Sequence, residues 1–264
     1  MQAGYVVCQE IWHECHAFAK SEQMFDTGEM GATPQLADIS AIAPVVLAKE
    51  LLIGVPEVFQ CLLPGAGLQR GWTTRVSGSP PGRAFTWALL SDITRSGGWI
   101  AAVDVPGIAL TAASEVGLSV ERVLIVSSND ASSWTGAMGA LIGSVDAIVF
   151  GTPRHRIQPS MQRRLTSRCR ERGTVLMELA DDQASSRAAR DQPIDVDVSF
   201  AVSTDRWDGL GSGHGRLISR EIQVAATGRR VPGRARHGTF LVPDVDGAVR
   251  VVPEPASQVV SIAR

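Results

Sequence analysis

Apolar residues recur along the middle of the chain in short blocks, separated by polar or glycine-containing stretches long enough to form helices. The blocks WIAAVDV (99–105), RVLIVSS (122–128), DAIVFGT (146–152) and TVLMELA (174–180) are rich in Val and Ile. That is the pattern of strands buried on both faces. Upstream, the glycine-rich LLPGAGLQRGW (62–72) gives way to a β-prone run, Thr73–Val76, which reads as a strand ending at a glycine loop. In FTWALLSDITRSG, Phe85, Leu89, Leu90 and Ile93 share one helical face, and Gly97 and Gly98 end the helix. This β-α alternation predicts a parallel sheet with helices packed on it and right-handed crossovers.

The pattern changes beyond Gln183. VDVSFAVSTDRW (196–207), RLISREIQVAAT (216–227) and GTFLVPDVDGAVRVV (238–252) alternate between turn signals and predict antiparallel strands, with Asp246-Gly247 as a hairpin turn. At the other end, Leu36, Ile39, Ile42, Val46 and Leu47 recur near helical spacing, predicting one or two short helices between Gln35 and Leu52. The chain therefore divides into an N-terminal segment with short helices, residues 1–61, and an α/β core with an antiparallel C-terminal extension, residues 62–264.

Composition narrows the classes of function. The chain's 264 residues, 44% of them apolar, can bury a full core. A formal charge of −2 argues against coating nucleic acid or an anionic membrane by net charge alone, so local basic stretches must carry any such role. Lys20 and Lys49 are the only lysines, so arginine supplies nearly all the positive charge. With no window as apolar as a membrane span and no basic-then-apolar leader, the expected location is cytoplasmic. The four cysteines are irregularly spaced and are expected to be reduced.

The loop after the first core strand carries the most informative chemistry. A working phosphate loop, G-x-x-x-x-G-K-[ST], uses glycines to wrap backbone N–H groups around phosphates. Its Lys neutralises them, and its Ser or Thr holds Mg²⁺. Aligning Gly82 with the second glycine puts Ser77 at the first, with Gly78 behind it, Arg83 at the lysine and Ala84 at the hydroxyl. A planar guanidinium is a poor replacement for a compact ammonium, and alanine gives the metal no oxygen. Pro80 and Pro81 remove further N–H donors.

With strand, loop and helix in this order, the chain resembles RecA from about Leu62 to Val252, through AAVDVPGIALTAASEVGLSVERVLIVSS, the polar helix after Asp130, VDAIVFGT and the closing strands. Carried over by position, the family's catalytic glutamate falls near Pro106 and its Walker B aspartate at Gly151. The resemblance thus implies a RecA-like core without ATPase chemistry, needing no nucleotide or metal cofactor. Within that superfamily, LLPGAGLQRGWTTRVSG and the AVDVPG turn look most like the ImuA group, including its ImuA-prime branch, and more distantly like the cell-division inhibitor SulA. Likeness to the ImuA group implies an SOS-induced accessory factor of error-prone translesion synthesis. It would act with the inactive polymerase homologue ImuB and a DnaE-type polymerase, with DNA contact and self-association as further expectations. The alternatives are a DNA-binding RecA paralogue with residual ATP binding and a SulA-like inhibitor.

Two basic clusters offer a partner or DNA surface. Residues 153–172 hold Arg154, Arg156, Arg163, Arg164, Arg168, Arg170 and Arg172 against a single acid, Glu171, while Met161, Leu165 and Cys169 form the apolar stripe of an amphipathic helix. The arginines serve either phosphates or an acidic partner, or else form a solvated face. Arg229, Arg230, Arg234, Arg236 and His237 fall in a Gly/Pro-containing connection suited to exposed contacts. Cys8, His13, Cys15 and His16 are all metal-ligand types, but their spacing fits no usual structural zinc pattern, and no metal site is expected.

Overall fold

A computed structural model describes residues 51–78, 80–153, 155, 157–180, 196–210 and 214–252. The helices expected before residue 51 and the Cys8–His16 set lie outside the described residues. Leu52, placed at the end of a helix by its spacing, instead starts strand β1 (Leu52–Gly54), which pairs antiparallel with β2 (Gly67–Gln69). Between them Glu57–Leu62 forms a 3₁₀ turn.

The core has the predicted alternation: β3 (Thr73–Ser77), α1 (Pro81–Arg95), β4 (Ile100–Val103), α2 (Leu110–Glu115), β5 (Val123–Val126), α3 (Ala131–Leu141), β6 (Ala147–Gly151), α4 (Pro159–Arg172) and β7 (Val175–Leu179). Then come β8 (Val198–Leu210), β9 (Gly215–Thr227), β10 (Arg236–Leu241) and β11 (Arg250–Val251). All but β1 and β2 join one nine-stranded sheet in the order β11-β10-β9-β8-β3-β7-β6-β4-β5. From β3 to β5 the pairing is parallel, and β9, β10 and β11 continue it antiparallel. β8, expected to be purely antiparallel, pairs parallel with β3 on one side and antiparallel with β9 on the other, so it is the seam between the two halves.

Each helix has an identifiable start or stop. Pro81 opens α1 where its missing N–H costs nothing. α1 then buries 11 of its 15 residues, lying between the sheet and the segment around β1. Gly97 (φ +97°) and Gly98 end it, the N–H of Gly98 donating to the carbonyl of Ile93. Gly173, in the left-handed conformation, terminates α4.

Alternation along the strands divides the core into two layers. Val76, Ile100, Ala102, Val149 and Met177 face α1 and α2, whereas Ala101, Val103, Ile148, Phe150 and Leu176 face α3 and α4. Phe59 of the 3₁₀ turn meets Phe85 of α1 and Phe240 of β10 at ring distances of 5.2 and 5.0 Å, and Phe85 meets Phe200 of β8 at 5.3 Å. Residues 51–62 thus pack in the same core as the strands after them.

The strands β4, β6 and β7 are buried throughout, as expected. β5 departs from expectation. It is the sheet edge, with Leu124 39% and Ile125 53% exposed, because among the described residues no strand pairs with its outer side.

Candidate functional site

α2, which comes after β4, packs on one face of the sheet, and α4, which comes after the neighbouring β6, packs on the other. At such a switch point the chain ends diverge and leave a crevice beyond the carboxyl ends of the strands, where open α/β sheets hold ligands. A cleft of about 850 Å³ lies there. Its wall runs from Val76, Ser77, Gly78, Gly82 and Arg83 at the β3–α1 junction, through Asp104, Val105 and Pro106 after β4, to Ser127–Asp130 after β5. Thr152, Pro153 and His155 after β6, with Leu179 of β7 and Ala180 just after it, complete it.

The structure therefore brings Ser77, Gly78, Gly82, Arg83, Pro106 and Gly151 to one edge of the sheet, with Ala84 in the first turn of α1. The backbone donors at residues 80–83 of the loop are missing or already engaged. Pro80 and Pro81 have no N–H to offer. The N–H of Gly82 donates to the carbonyl of Gly78 at 2.6 Å and that of Arg83 to the carbonyl of Pro80 at 3.2 Å. Helix α1 starts at Pro81, so no wide arc of backbone separates strand from helix. The Arg83 guanidinium turns across the cleft and donates to the carbonyl of Pro106 at 2.7 Å.

Opposite, the β4 end closes on β6. A Cβ placed on Gly151 would overlap the carbonyl oxygen of Asp104 and press on the Pro106 ring, so glycine is the residue that this approach permits. Asp104 itself has φ +48°, an uncommon conformation for a residue other than glycine. It is held there from both ends. Its N–H donates to the carbonyl of Val126 at 3.0 Å, and its carboxylate accepts the Ser128 N–H at 2.7 Å and the Ser128 hydroxyl.

The third wall is the start of α3, where Asp130 and Ser133 form a capping box. The N–H and hydroxyl of Ser133 hold the Asp130 carboxyl below the usual carboxylate range. His155 packs edge-on against Trp134, 5.7 Å between ring centres. Sequence reasoning singled out none of Asp104, Ser128, Asp130 or His155. The D-x-x-S spacing at 130–133 carried a readable cap signal. The Asp104–Ser128 contact carried none, since it joins the ends of two strands 24 residues apart. Among the described residues no group of three or more His, Cys, Asp or Glu is placed to hold a metal ion.

The two basic clusters separate in the fold. On α4, Gln162, Leu165, Thr166 and Cys169 are buried, and Met161 packs partly against the same layer. Burial pushes the Cys169 thiol up to about 12, so it is a packing residue and not a nucleophile. Arg163, Arg164, Arg170 and Arg172 are exposed and Arg168 is half-buried. Arg154 and Arg156 lie outside the described residues. In the second cluster most arginines serve the fold. Arg229 and Arg230 pair with the buried Asp197 at 2.7 and 3.5 Å, and Arg236 donates to the carbonyls of Cys61 and Leu63 at 3.3 and 2.8 Å. Arg236 and His237 start β10 instead of lying in the connection, while Arg234 is in that connection and exposed.

Sheet and cleft together define a doubly wound α/β protein with an antiparallel extension and an open crevice at its switch point. Residues 61–184, which build nearly all of that crevice, resemble the family described as the MT3502 N-terminal domain. The chain is also 25% identical over 188 residues to the uncharacterized protein Rv3395c of Mycobacterium tuberculosis, a stretch covering 70% of this chain and 88% of that relative. None of the described helices is long and apolar enough to cross a membrane.

Proposed function

We propose that this chain is a cytoplasmic RecA-like accessory protein of the ImuA group. It has no ATPase chemistry, and it supports error-prone translesion synthesis by binding an ImuB-type polymerase homologue and, through it, a DnaE-type polymerase. The accessory role rests on the RecA-like order of elements and on the AVDVPG and LLPGAGLQRGW stretches. The absence of catalysis rests above all on one observation: the Gly82 and Arg83 N–H groups, which would meet a phosphate, are bonded to Gly78 and Pro80 within their own turn. A phosphate would have to break those bonds without Lys or Mg²⁺ to compensate.

Calorimetric titration with Mg·ATP tests the catalytic half of the reading. No binding in the micromolar range and no phosphate release are expected, and micromolar affinity with turnover would overturn it. Co-purification from DNA-damaged cells tests the other half. ImuB is the expected companion, and stable capture of a division protein in its place would favour the SulA-like alternative.

A further inference from the structure

The outer surface formed by α3 and α4 carries a charge pattern that the cleft does not explain. Arg164, Arg168 and Arg172 succeed one another at four-residue intervals, which sets them in a row along α4 with steps of about 6 Å. Two further arginines, Arg163 and Arg170, seven residues apart, share the opposite flank of the helix's exposed face. Arg164, Arg168, Arg170 and Arg172 make no hydrogen bond or ion pair with any described residue, and Arg163 reaches only the carbonyl of Pro159 in its own helix, at 3.4 Å. The single acid of the helix, Glu171, accepts a hydrogen bond from the Ser167 hydroxyl at 2.9 Å. Among the described residues the five guanidinium groups therefore stand uncompensated, on a chain whose overall charge is −2.

Residues 131–144, which form α3 and the turn after it, contain no charged side chain. The row runs beside them: the Arg168 guanidinium lies 3.6 Å from where a Cβ would stand on Gly139, and the stem of Arg172 lies 3.3 Å from the same point on Gly143. What could this face hold? A protein partner needs large apolar or aromatic anchors at the centre of its interface. None of the exposed large hydrophobic residues belongs to α3 or α4. A single nucleic-acid strand is held largely by aromatic residues that stack on its bases, and no exposed aromatic stands on these helices. A duplex backbone asks for neither. The phosphates of each strand rise about 3.4 Å per step along the duplex axis, so a rigid row of arginines roughly 12 Å long laid along that axis, beside an uncharged, small-residue neighbour, covers the rise of three to four of them.

We propose that the α4 arginine row, Arg164, Arg168 and Arg172, is a contact surface for the phosphate backbone of duplex DNA. The contact is electrostatic and independent of base sequence, because no side chain on this face is set to read base edges. It stands apart from the proposed mutasome role, since it depends on the charge of one helix and not on the state of the nucleotide cleft. The loop cluster around Arg229 contributes little, because Arg229, Arg230 and Arg236 are engaged inside the protein.

The test is fluorescence anisotropy of the full chain with a labelled duplex of about 30 base pairs and mixed sequence, at several salt concentrations. The probe is titrated against the wild type, R164E/R168E/R172E and R164K/R168K/R172K. Charge reversal is expected to weaken binding at least about tenfold and to reduce the slope of log K against log salt by about 2.7, while the lysine variant binds within about threefold of wild type. Because the lysine variant changes the same three side chains, it separates loss of charge from loss of fold. The proposal is overturned if the wild type does not bind the duplex at low salt, or if charge reversal leaves binding unchanged. It is equally overturned if a single strand of the same length binds more tightly, or if polyglutamate binds where the duplex does not.

Discussion

Gly151 stands where the proposed match to RecA would place a metal-binding aspartate. A missing carboxylate could in principle be put back by one substitution, but here the carbonyl of Asp104 occupies the space into which a side chain would grow. Gly151→Asp is expected to cost about 2–3 kcal/mol by overpacking and to confer no Mg²⁺-dependent nucleotide binding, measured by urea denaturation and titration of ATP. Arg83→Lys with Ala84→Thr is expected to show no ATP hydrolysis for a related reason: Pro80 and Pro81 still supply no N–H, and Pro106 and Gly151 supply no acid. Turnover in that double variant would refute the match of these positions to those of RecA. At this scale the sequence was legible in placing Ser77, Gly82 and Arg83 at a strand-to-helix turn. It was not legible where chemistry depends on approach. Nothing in DVPG announces that Asp104 would take a positive φ and be held by Ser128, because that contact exists only once β4 and β5 lie side by side.

At the scale of elements, the buried carboxylate of Asp197 holds three segments together. It accepts the N–H of Thr73 at the start of β3 at 2.9 Å and receives Arg229 and Arg230 from the connection after β9. The parallel and antiparallel halves of the sheet meet at this point. Asp197→Asn keeps the shape and removes the charge that both arginines answer, so it is expected to cost about 2 kcal/mol, read as a lower urea midpoint at unchanged slope. An unchanged midpoint would show that the two partly exposed arginines are held by solvent as well as by the carboxylate. Strands β4, β6 and β7 and helices α1 and α4 were legible because each pairs a mainly apolar run or a 3.6-residue stripe with a nearby Gly or Pro. Others were not. β1 is three residues long and is a strand only because β2 pairs with it, and β5 carries the Val/Ile run of a buried strand yet lies at the edge. Periodicity reports which residues tolerate burial; neighbours decide whether they receive it.

For the whole molecule, the question is whether the antiparallel extension is an appendage or part of one cooperative body. The change of pattern beyond Gln183 suggests an appendage, but the aromatic contacts argue for one body. Phe59, fully buried, touches Phe85 of the parallel half and Phe240 of the extension, and Phe85 touches Phe200 at the seam. Truncating Phe59 removes the ring that links all three, and a buried Phe→Ala change typically costs about 3–5 kcal/mol. If the sheet unfolds as a unit, Phe59→Ala must lower the protection of β6–β7 and of β9–β10 by the same amount, although Phe59 belongs to the 3₁₀ turn before the parallel strands. Hydrogen–deuterium exchange read by mass spectrometry, peptide by peptide, measures this directly. Equal losses in the two regions would mean that the N-terminal 3₁₀ turn, the parallel sheet and the extension share one opening reaction. A loss confined to β9 and β10 would mean that the extension opens alone at the β8 seam, leaving the cleft and the α4 face on a parallel core stable without it.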